Sequence, residues 1–217
     1  MTELQARIDV IEAAQAMSAS GLSPGKSGNV SARIGGGPKS GMVITPTGVA
    51  YDALVRDLIS FVGDDGDLRD GELKPSSEWH FHLAIYNARS DVSAIVHAHS
   101  ENATALACTG RNIPAFHYMV AVAGGKDIRC SPYATFGTEE LGGLAVAALE
   151  ERNACLLGNH GVIACGQSPA DALALAHEVE SLAAQYVRVL SIGDANILSD
   201  GEMARVVKKF KSYGQQN

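Results

Sequence analysis

The sequence predicts a single α/β domain. Stretches with apolar residues at helical spacing alternate along the chain with short apolar runs that are typical of strands. With 217 residues, 46% of them hydrophobic and 19% charged, the chain can bury a complete core. Because no linker-like stretch or internal repeat divides residues 1–217, we expect one domain.

The N-terminal part begins with a predicted helix over residues 2–20, which has apolar residues at helical spacing and Thr2 as its N-cap. Two strands are predicted over residues 29–34 and 42–45, joined by a glycine-rich turn. The acidic segment 64–67 lacks the spaced ligands of a calcium loop, so we interpret it as a hairpin turn.

The remainder alternates helices with strands. A strand is predicted over residues 92–99, and another over residues 154–165, where Gly158 and Gly161 interrupt it. Capping residues and helical spacing mark the helices. The predicted helices cover residues 75 to 86 or 88, 100–108, 138–151, 168–190 and 199–213.

Composition excludes some classes of partner. The net charge of −7 argues against a nucleic-acid-binding protein. The N-terminus lacks the pattern of a signal peptide, and no apolar run approaches the roughly 18 residues that span a membrane. Cys108, Cys130, Cys155 and Cys165 form no C-x-x-C pair and lie among small or apolar residues. We therefore expect buried free thiols in a cytoplasmic protein with no membrane partner.

The strongest chemical signal is the pair His97 and His99. Residues two apart on a strand share a face, so both imidazoles can point at one ion. With His160, which is flanked by glycine on its C-terminal side, they give the three imidazoles of a catalytic zinc site with an open position. Imidazole suits Zn²⁺ and neighbouring transition metals. A chance pair on a half-exposed strand is the alternative.

The other histidines are expected to be structural. His80 and His82 are also two apart, but on a helix such residues diverge by about 200° and cannot chelate one ion. Surface or packing roles are expected for both. His117 and His177 are isolated in the sequence and have the same expectation.

The start of the helix predicted at residue 75 has two interpretations. In the first, the negative charge of Glu78 in the first turn interacts favourably with the helix dipole. In the second, the unpaired first-turn amides and the hydroxyls of Ser76 and Ser77 form an anion site. The glycine-bearing turns 27–31 and 45–48 could bring further amides to the same phosphate. Neither turn matches a nucleotide-binding fingerprint, so a nucleotide is not indicated.

Several motifs, taken in order, strongly resemble the class II aldolase/adducin family. The resemblance covers nearly the whole chain, including the terminal segment 209–214. It implies a three-layer fold whose central, mainly antiparallel sheet is flanked by helices. The motifs are Gly28-Asn29-Val30-Ser31, Ile44-Thr45-Pro46-Thr47-Gly48, Pro75-Ser76-Ser77-Glu78, His97-Ala98-His99, Phe116-His117-Tyr118-Met119, Pro132-Tyr133-Ala134-Thr135-Phe136-Gly137 and His160-Gly161.

The resemblance also implies roles for individual residues. Zn²⁺ would be held by His97, His99 and His160, with Glu78 as the fourth ligand until substrate displaces it. The family resemblance implies a four-fold symmetric homotetramer with sites between subunits, in which Tyr118 reaches the neighbouring site. Tyr213, on the C-terminal tail, would close over the substrate. The implied phosphate-binding residues are Gly28, Asn29, Thr47, Gly48, Ser76 and Ser77.

The implied reaction is reversible cleavage of a ketose 1-phosphate to dihydroxyacetone phosphate and an aldehyde. The candidate substrates are L-fuculose 1-phosphate and a deoxy- or methylthio-pentulose 1-phosphate. Zn²⁺ would stabilise the enediolate that cleavage leaves, so no Schiff-base lysine is required. Glu78 would transfer the proton at the enediolate carbon, and Tyr118 would exchange one with the aldehyde oxygen.

Other functions within the family remain open. A pentulose-phosphate 4-epimerase shares the metal histidines, but an aspartate typically replaces the glutamate that follows the two serines, whereas this chain has Glu78. A non-catalytic domain like the adducin head lacks the metal site, which disfavours it here. Dehydration of methylthioribulose 1-phosphate and decarboxylation of a keto-acid phosphate are further chemistries of the family.

Overall fold

The computed structural model describes residues 2–35, 40–69 and 71–210. Within this part of the chain, one sheet of seven strands lies between two layers of helices. The strands are β1 (Asn29–Ile34), β2 (Gly41–Ile44), β3 (Ser60–Gly63), β4 (Ala94–Ala98), β5 (Arg129–Ser131), β6 (Ala154–Leu157) and β7 (Gly161–Gly166). The helices are α1 (Glu3–Ala19), α2 (Trp79–Ala88), α3 (Glu101–Ala107), α4 (Glu139–Ala148), α5 (Pro169–Ile192) and α6 (Asp200–Phe210).

The strand order places β4 near the middle of the sheet. The order is β3-β2-β1-β4-β7-β6-β5, and neighbouring strands are antiparallel except for the parallel pair β5 and β6. In this register His97 pairs with Asn29 on one side and with Ile163 on the other. The mainly antiparallel sheet is therefore as expected, and it positions His97 beside Asn29.

Two hydrophobic clusters cover the two faces of the sheet. Val30 and Val96 belong to the cluster formed with α1, α3 and α5. Ile95 and Ile163 belong to the other cluster, under α2 and α4. Alternate residues of β4 thus enter different cores, as the pleat of a strand requires. This arrangement confirms the three-layer α/β fold.

Two elements differ most from the predictions. Helix α2 begins at Trp79 rather than at residue 75, because Pro75 forms a β-bridge with Pro46 and the Ser76 amide bonds the Thr45 carbonyl. These contacts hold the segment extended and place Glu78 at the N-cap. The predicted strand 154–165 is two strands, and His160 lies in the turn between them rather than on a strand.

One further turn was predicted correctly, and several short elements were not predicted. The hairpin turn at residues 64–67 is confirmed by a hydrogen bond from the Gly63 amide to the Asp67 carbonyl. Strand β5 has only three residues and carries no periodic pattern. The glycine-rich connection at 36–39 and the C-terminal residues 211–217 lie outside the described residues. Short 3₁₀ helices at Tyr51–Ala53, Arg56–Leu58 and Tyr118–Ala123 were also not predicted.

All four cysteines are free thiols, as predicted. Cys155 and Cys165 are buried and Cys130 is half-buried. The prediction of a buried thiol was wrong for Cys108, which follows the last turn of α3 and is exposed. Across the described ranges, every helix is too short or too polar to cross a membrane.

Candidate metal centre and substrate cavity

Four side chains converge from separate elements on one point. His97 is the penultimate residue of the central strand β4, and His99 directly follows the end of that strand. His160 comes from the β6–β7 turn, and Glu78 from the N-cap of α2. One ligand atom of each residue lies within 4.8 Å of those of the others. The structure thus brings together all four predicted metal ligands.

Three of the six spacings between these atoms are close to those around a single tetrahedral ion. Nε2 of His97 lies 2.9 Å from Nε2 of His99 and 3.2 Å from Oε2 of Glu78. Nε2 of His160 lies 3.0 Å from Oε1 of Glu78. Ligands about 2.0–2.1 Å from zinc in a tetrahedron are about 3.3 Å apart. Oε1 of Glu78 is buried and has no well-oriented hydrogen bond, so it is free to bind a cation.

The rings are oriented by neighbouring strands. Nδ1 of His97 donates to the carbonyl oxygen of Val162 on β7 at 3.0 Å, which leaves its Nε2 lone pair facing the cluster. Gly161 allows the turn to approach, because a Cβ there would lie 2.5 Å from the Ala98 carbonyl oxygen and 2.9 Å from Cδ2 of His99. The glycine after His160 is therefore required by packing.

The cluster favours an ionised Glu78 carboxylate and a neutral His99 imidazole. Burial raises the pKa of Glu78, but the adjacent His97 and His160 outweigh burial and hold this pKa well below its usual range. Burial, with repulsion from His97 and His160, lowers the pKa of His99 to about 4. Carboxylate and neutral imidazole are the forms that bind metals.

A cavity of about 400 Å³ opens above this cluster. Glu78, His99 and His160 line it, whereas His97 is fully buried behind them. The cavity is also lined by all six residues expected to bind phosphate: Gly28, Asn29, Thr47, Gly48, Ser76 and Ser77. The predicted phosphate and metal residues therefore share one site.

Backbone contacts hold the turns around this cavity. Gly28 has a φ of +82°, and a Cβ there would lie 2.6 Å from the His97 carbonyl oxygen, so only glycine fits against β4. The Thr47 amide bonds the Lys74 carbonyl, which ties the turn after β2 to the segment before α2.

The expectation of unpaired amides at the start of α2 needs correction. The Glu78 amide bonds Oγ of Ser76, and the Trp79 amide bonds the Ser76 carbonyl. Because Ser76 folds back on the helix start, these two amides already have partners and are not available to an anion.

Further residues that line the cavity were not predicted from the sequence. Lys26 lies at its rim, where Nζ donates to the Gly48 carbonyl oxygen at 2.9 Å. Its position two residues before Gly28 was the available signal. Tyr133 and Phe136 line another part of the cavity and are 59% and 63% exposed, and Asn159 lies in the turn with His160.

The remaining histidines have the structural contacts that were expected. His82 is fully buried and bonds Asn29 and Ser31, and burial, assisted by His97, lowers its pKa to about 3. His80 stacks on the ring of Trp79, with 3.9 Å between centroids. His117 accepts the Met119 amide, and His177 lies 3.3 Å from Oγ of Ser20.

Two tyrosines, Tyr118 and Tyr213, were predicted to act at the site. Tyr118 lies away from the cavity of its own chain. Tyr118 is 51% exposed and is not among the residues that line the cavity in this chain. Its ring stacks against Phe210 of α6, with 6.5 Å between centroids. Tyr213 lies outside the described residues.

The sequence comparison and the structure comparison both find aldolases. The chain is 51% identical over 208 residues to the 5-methylthioribulose-1-phosphate/5-deoxyribulose-1-phosphate aldolase of Rhodospirillum rubrum, covering 96% of this chain and 92% of that protein. It is 48% identical over 206 residues to the L-fuculose phosphate aldolase of Escherichia coli K12, covering 94% of each. A solved structure of an L-fuculose 1-phosphate aldolase superposes with a TM-score of 0.91 at 39% identity, covering 97% of this chain and 98% of that one.

The family assignment follows from these matches. Residues 8–187 match the family model described as Class II Aldolase and Adducin N-terminal domain. The relatives are aldolases, which are lyases, and this chain shares that enzyme class. The chain belongs to the class II aldolase/adducin family.

Proposed function

We propose that the chain is a zinc-dependent class II aldolase that reversibly cleaves a ketose 1-phosphate to dihydroxyacetone phosphate and an aldehyde. The observation that carries this proposal is the cluster of three imidazoles and one carboxylate within 4.8 Å, at the base of a cavity lined by small polar residues. The relatives named for L-fuculose phosphate and for 5-methylthioribulose and 5-deoxyribulose 1-phosphates support the same class of substrate.

The donor set fits zinc. His97, His99, His160 and Glu78 would hold the ion, which suits the imidazole-rich set better than Mg²⁺ would. When bound, zinc supplies a Lewis acid that stabilises negative charge developing on the substrate's carbonyl oxygen. Another divalent transition metal would satisfy the same ligands.

Glu78 is the residue that we propose moves the proton at carbon. The lowered pKa of Glu78 favours the ionised form, which is the state of a base, and at 7% exposure the carboxylate is shielded from water. In the direction of synthesis it would take a proton from dihydroxyacetone phosphate, and in cleavage it would return that proton to the same carbon.

The phosphate group is proposed to bind at the glycine-bearing turns. Gly28, Asn29, Thr47, Gly48, Ser76 and Ser77 are the proposed ligands, and their side-chain hydroxyls, with the Gly28 and Gly48 amides, suit an anion. Lys26 adds a positive charge at the rim, which an acidic protein needs if it is to attract a sugar phosphate.

The aldehyde end is proposed to lie against the exposed rings of Tyr133 and Phe136. Apolar rings at the cavity mouth suit a methyl or methylthio group better than a hydroxylated carbon. L-fuculose 1-phosphate and a deoxy- or methylthio-pentulose 1-phosphate all end in such a group.

We further propose a cytoplasmic homotetramer with sites between subunits. The four free cysteines favour a reducing compartment. Tyr118 is exposed and away from the cavity of its own chain, which supports its entry into a neighbour's site as the proton donor to the aldehyde oxygen. Tyr213 is proposed to cover the substrate from the C-terminal tail.

Product identification tests this function. Zinc-loaded protein is incubated with L-fuculose 1-phosphate, 5-deoxyribulose 1-phosphate and 5-methylthioribulose 1-phosphate, and with L-ribulose 5-phosphate as the epimerase substrate. We expect release of dihydroxyacetone phosphate from at least one 1-phosphate. Epimerised pentulose phosphate without cleavage would establish the 4-epimerase instead, and protein that binds no zinc would favour an interaction domain like the adducin head.

A further inference from the structure

A chain of buried hydrogen bonds runs from Glu78 away from the cavity. Nδ2 of Asn29 lies 3.0 Å from Oε2 of Glu78, and Oδ1 of Asn29 lies 2.5 Å from Nε2 of His82. Nδ1 of His82 lies 2.7 Å from Oγ of Ser31, which lies 2.8 Å from the Tyr86 hydroxyl. The five residues are at most 7% exposed, so water does not compete for these bonds.

Two simple spacings bring these residues together. Asn29 and Ser31 share one face of β1, because side chains two apart on a strand point the same way. Glu78, His82 and Tyr86 are spaced by four residues at the start of α2 and along it, so they lie on one helix face. The helix face packs on the strand face, and the polar side chains pair across it.

The chemistry of the groups determines the direction of each bond. A carboxylate oxygen only accepts, so the amide nitrogen of Asn29 must face Glu78 and its oxygen must face His82. Nε2 of His82 therefore carries a proton. A fully buried imidazole is neutral, so its Nδ1 is an acceptor and receives the Ser31 hydroxyl proton.

We propose that His82 is a positioning residue for Glu78 and acts through the amide of Asn29. This inference rests on the proposed role of Glu78 as the group that moves the proton at carbon. Without the Nε2–H donor, the Asn29 amide loses the bond that sets its orientation and can turn its oxygen toward the carboxylate. Glu78 then loses a donor and gains a repulsive neighbour.

The same amide reaches the phosphate side of the cavity. Nδ2 of Asn29 also lies 3.0 Å from Oγ of Ser76, one of the proposed phosphate ligands. The Asn29 amide thus hydrogen-bonds both Glu78 and Ser76 and fixes their relative position. His82 sets the relative position of the proton-transfer group and the phosphate site without touching substrate.

Three variants test the proposal in the zinc-loaded protein. His82→Leu removes the donor, His82→Gln places an amide N–H near the position of Nε2–H, and Ile85→Ala destabilises the same helix at a fully buried position outside this chain of bonds. We expect His82→Leu to lower kcat about 10-fold or more at one zinc per chain, with a smaller change in KM. His82→Gln should recover most of kcat.

The control and a direct view of the protons decide the outcome. Ile85→Ala should lower Tm and leave kcat within about twofold, so an equal loss of kcat in Ile85→Ala and His82→Leu would overturn the positioning role. Neutron diffraction of the wild-type crystal should show hydrogen on Nε2 of His82 and the Asn29 amide nitrogen facing Glu78. Hydrogen on Nδ1 of His82 and none on its Nε2 would also overturn the positioning role. This result is independent of whether the protein has the proposed aldolase activity.

Discussion

Gly161 lies so close to β4 that a Cβ on it would be 2.5 Å from the carbonyl oxygen of Ala98 and 3.2 Å from Cε1 of His97. Gly161→Ala should therefore displace the turn that carries His160. We expect the variant to bind zinc at least about 10-fold more weakly, because one ligand is moved from its position. Competition with a metal indicator measures this affinity.

Gly143→Ala is the matched control. Gly143 lies within α4, where an added Cβ meets no atom within 4 Å. Alanine should keep zinc affinity unchanged and raise stability by about 0.5–1 kcal/mol, since glycine is costly in a helix. Equal zinc affinity in the two variants would contradict the packing role of Gly161.

Glu78→Gln should separate proton transfer from metal binding. The amide keeps the shape of the side chain, and the three imidazoles remain as ligands. We expect close to one zinc per chain and a kcat lowered about 100-fold or more, the usual scale for loss of a general base. Glu101→Gln, at an exposed glutamate in the first turn of α3, is the control. Wild-type turnover by Glu78→Gln would contradict the proposed role.

Lys26→Gln should weaken binding of the phosphate group. Loss of one charge-assisted contact is expected to raise KM about 10-fold with little change in kcat. Inorganic phosphate should inhibit the variant less strongly than the wild type. Lys126→Gln, which removes a half-exposed lysine that pairs with Asp200, should leave KM unchanged. A KM for Lys26→Gln equal to that of the wild type would exclude the contact.

Glu3 should contribute stability that depends on pH. Hydrogen bonding to Arg69, assisted by Arg7 and opposed by burial, lowers the pKa of Glu3 from 4.5 to about 2. A lowered pKa means that this stability is complete above about pH 4.5 and is lost as pH falls toward 2.

Glu3→Gln measures that contribution. Because the pairs are partly exposed, we expect the variant to be less stable by on the order of 1 kcal/mol at pH 7, in urea unfolding. The difference between variant and wild type should shrink between pH 4.5 and 2. A difference that stays constant over this range would contradict the ion-pair origin.

Part of the histidine cluster could be predicted because its signal is local. His97 lies on β4 and His99 directly follows its last residue, and the extended spacing of two directs both imidazoles to one side. The prediction that His160 lies on a strand was wrong, since the turn between β6 and β7 carries it. Its convergence with the pair depends on the pairing of β7 with β4, which is a tertiary contact.

The environment of His82 could not be predicted in the same way. Its spacing of four from Glu78 is visible in the sequence, but the strand face on which α2 packs is not. The late start of α2 has a similar cause, because the bridge between Pro75 and Pro46 joins distant segments. Local propensity does not contain such contacts.

Release of dihydroxyacetone phosphate as a function of bound zinc tests the central claim most directly. The protein is assayed with its preferred ketose 1-phosphate as purified, after removal of metal by a chelator, and after reloading with zinc. We predict that release is proportional to zinc up to one ion per chain, disappears on chelation and returns on reloading. Full activity in metal-free protein, or no release by zinc-loaded protein from any ketose 1-phosphate, would contradict the assignment.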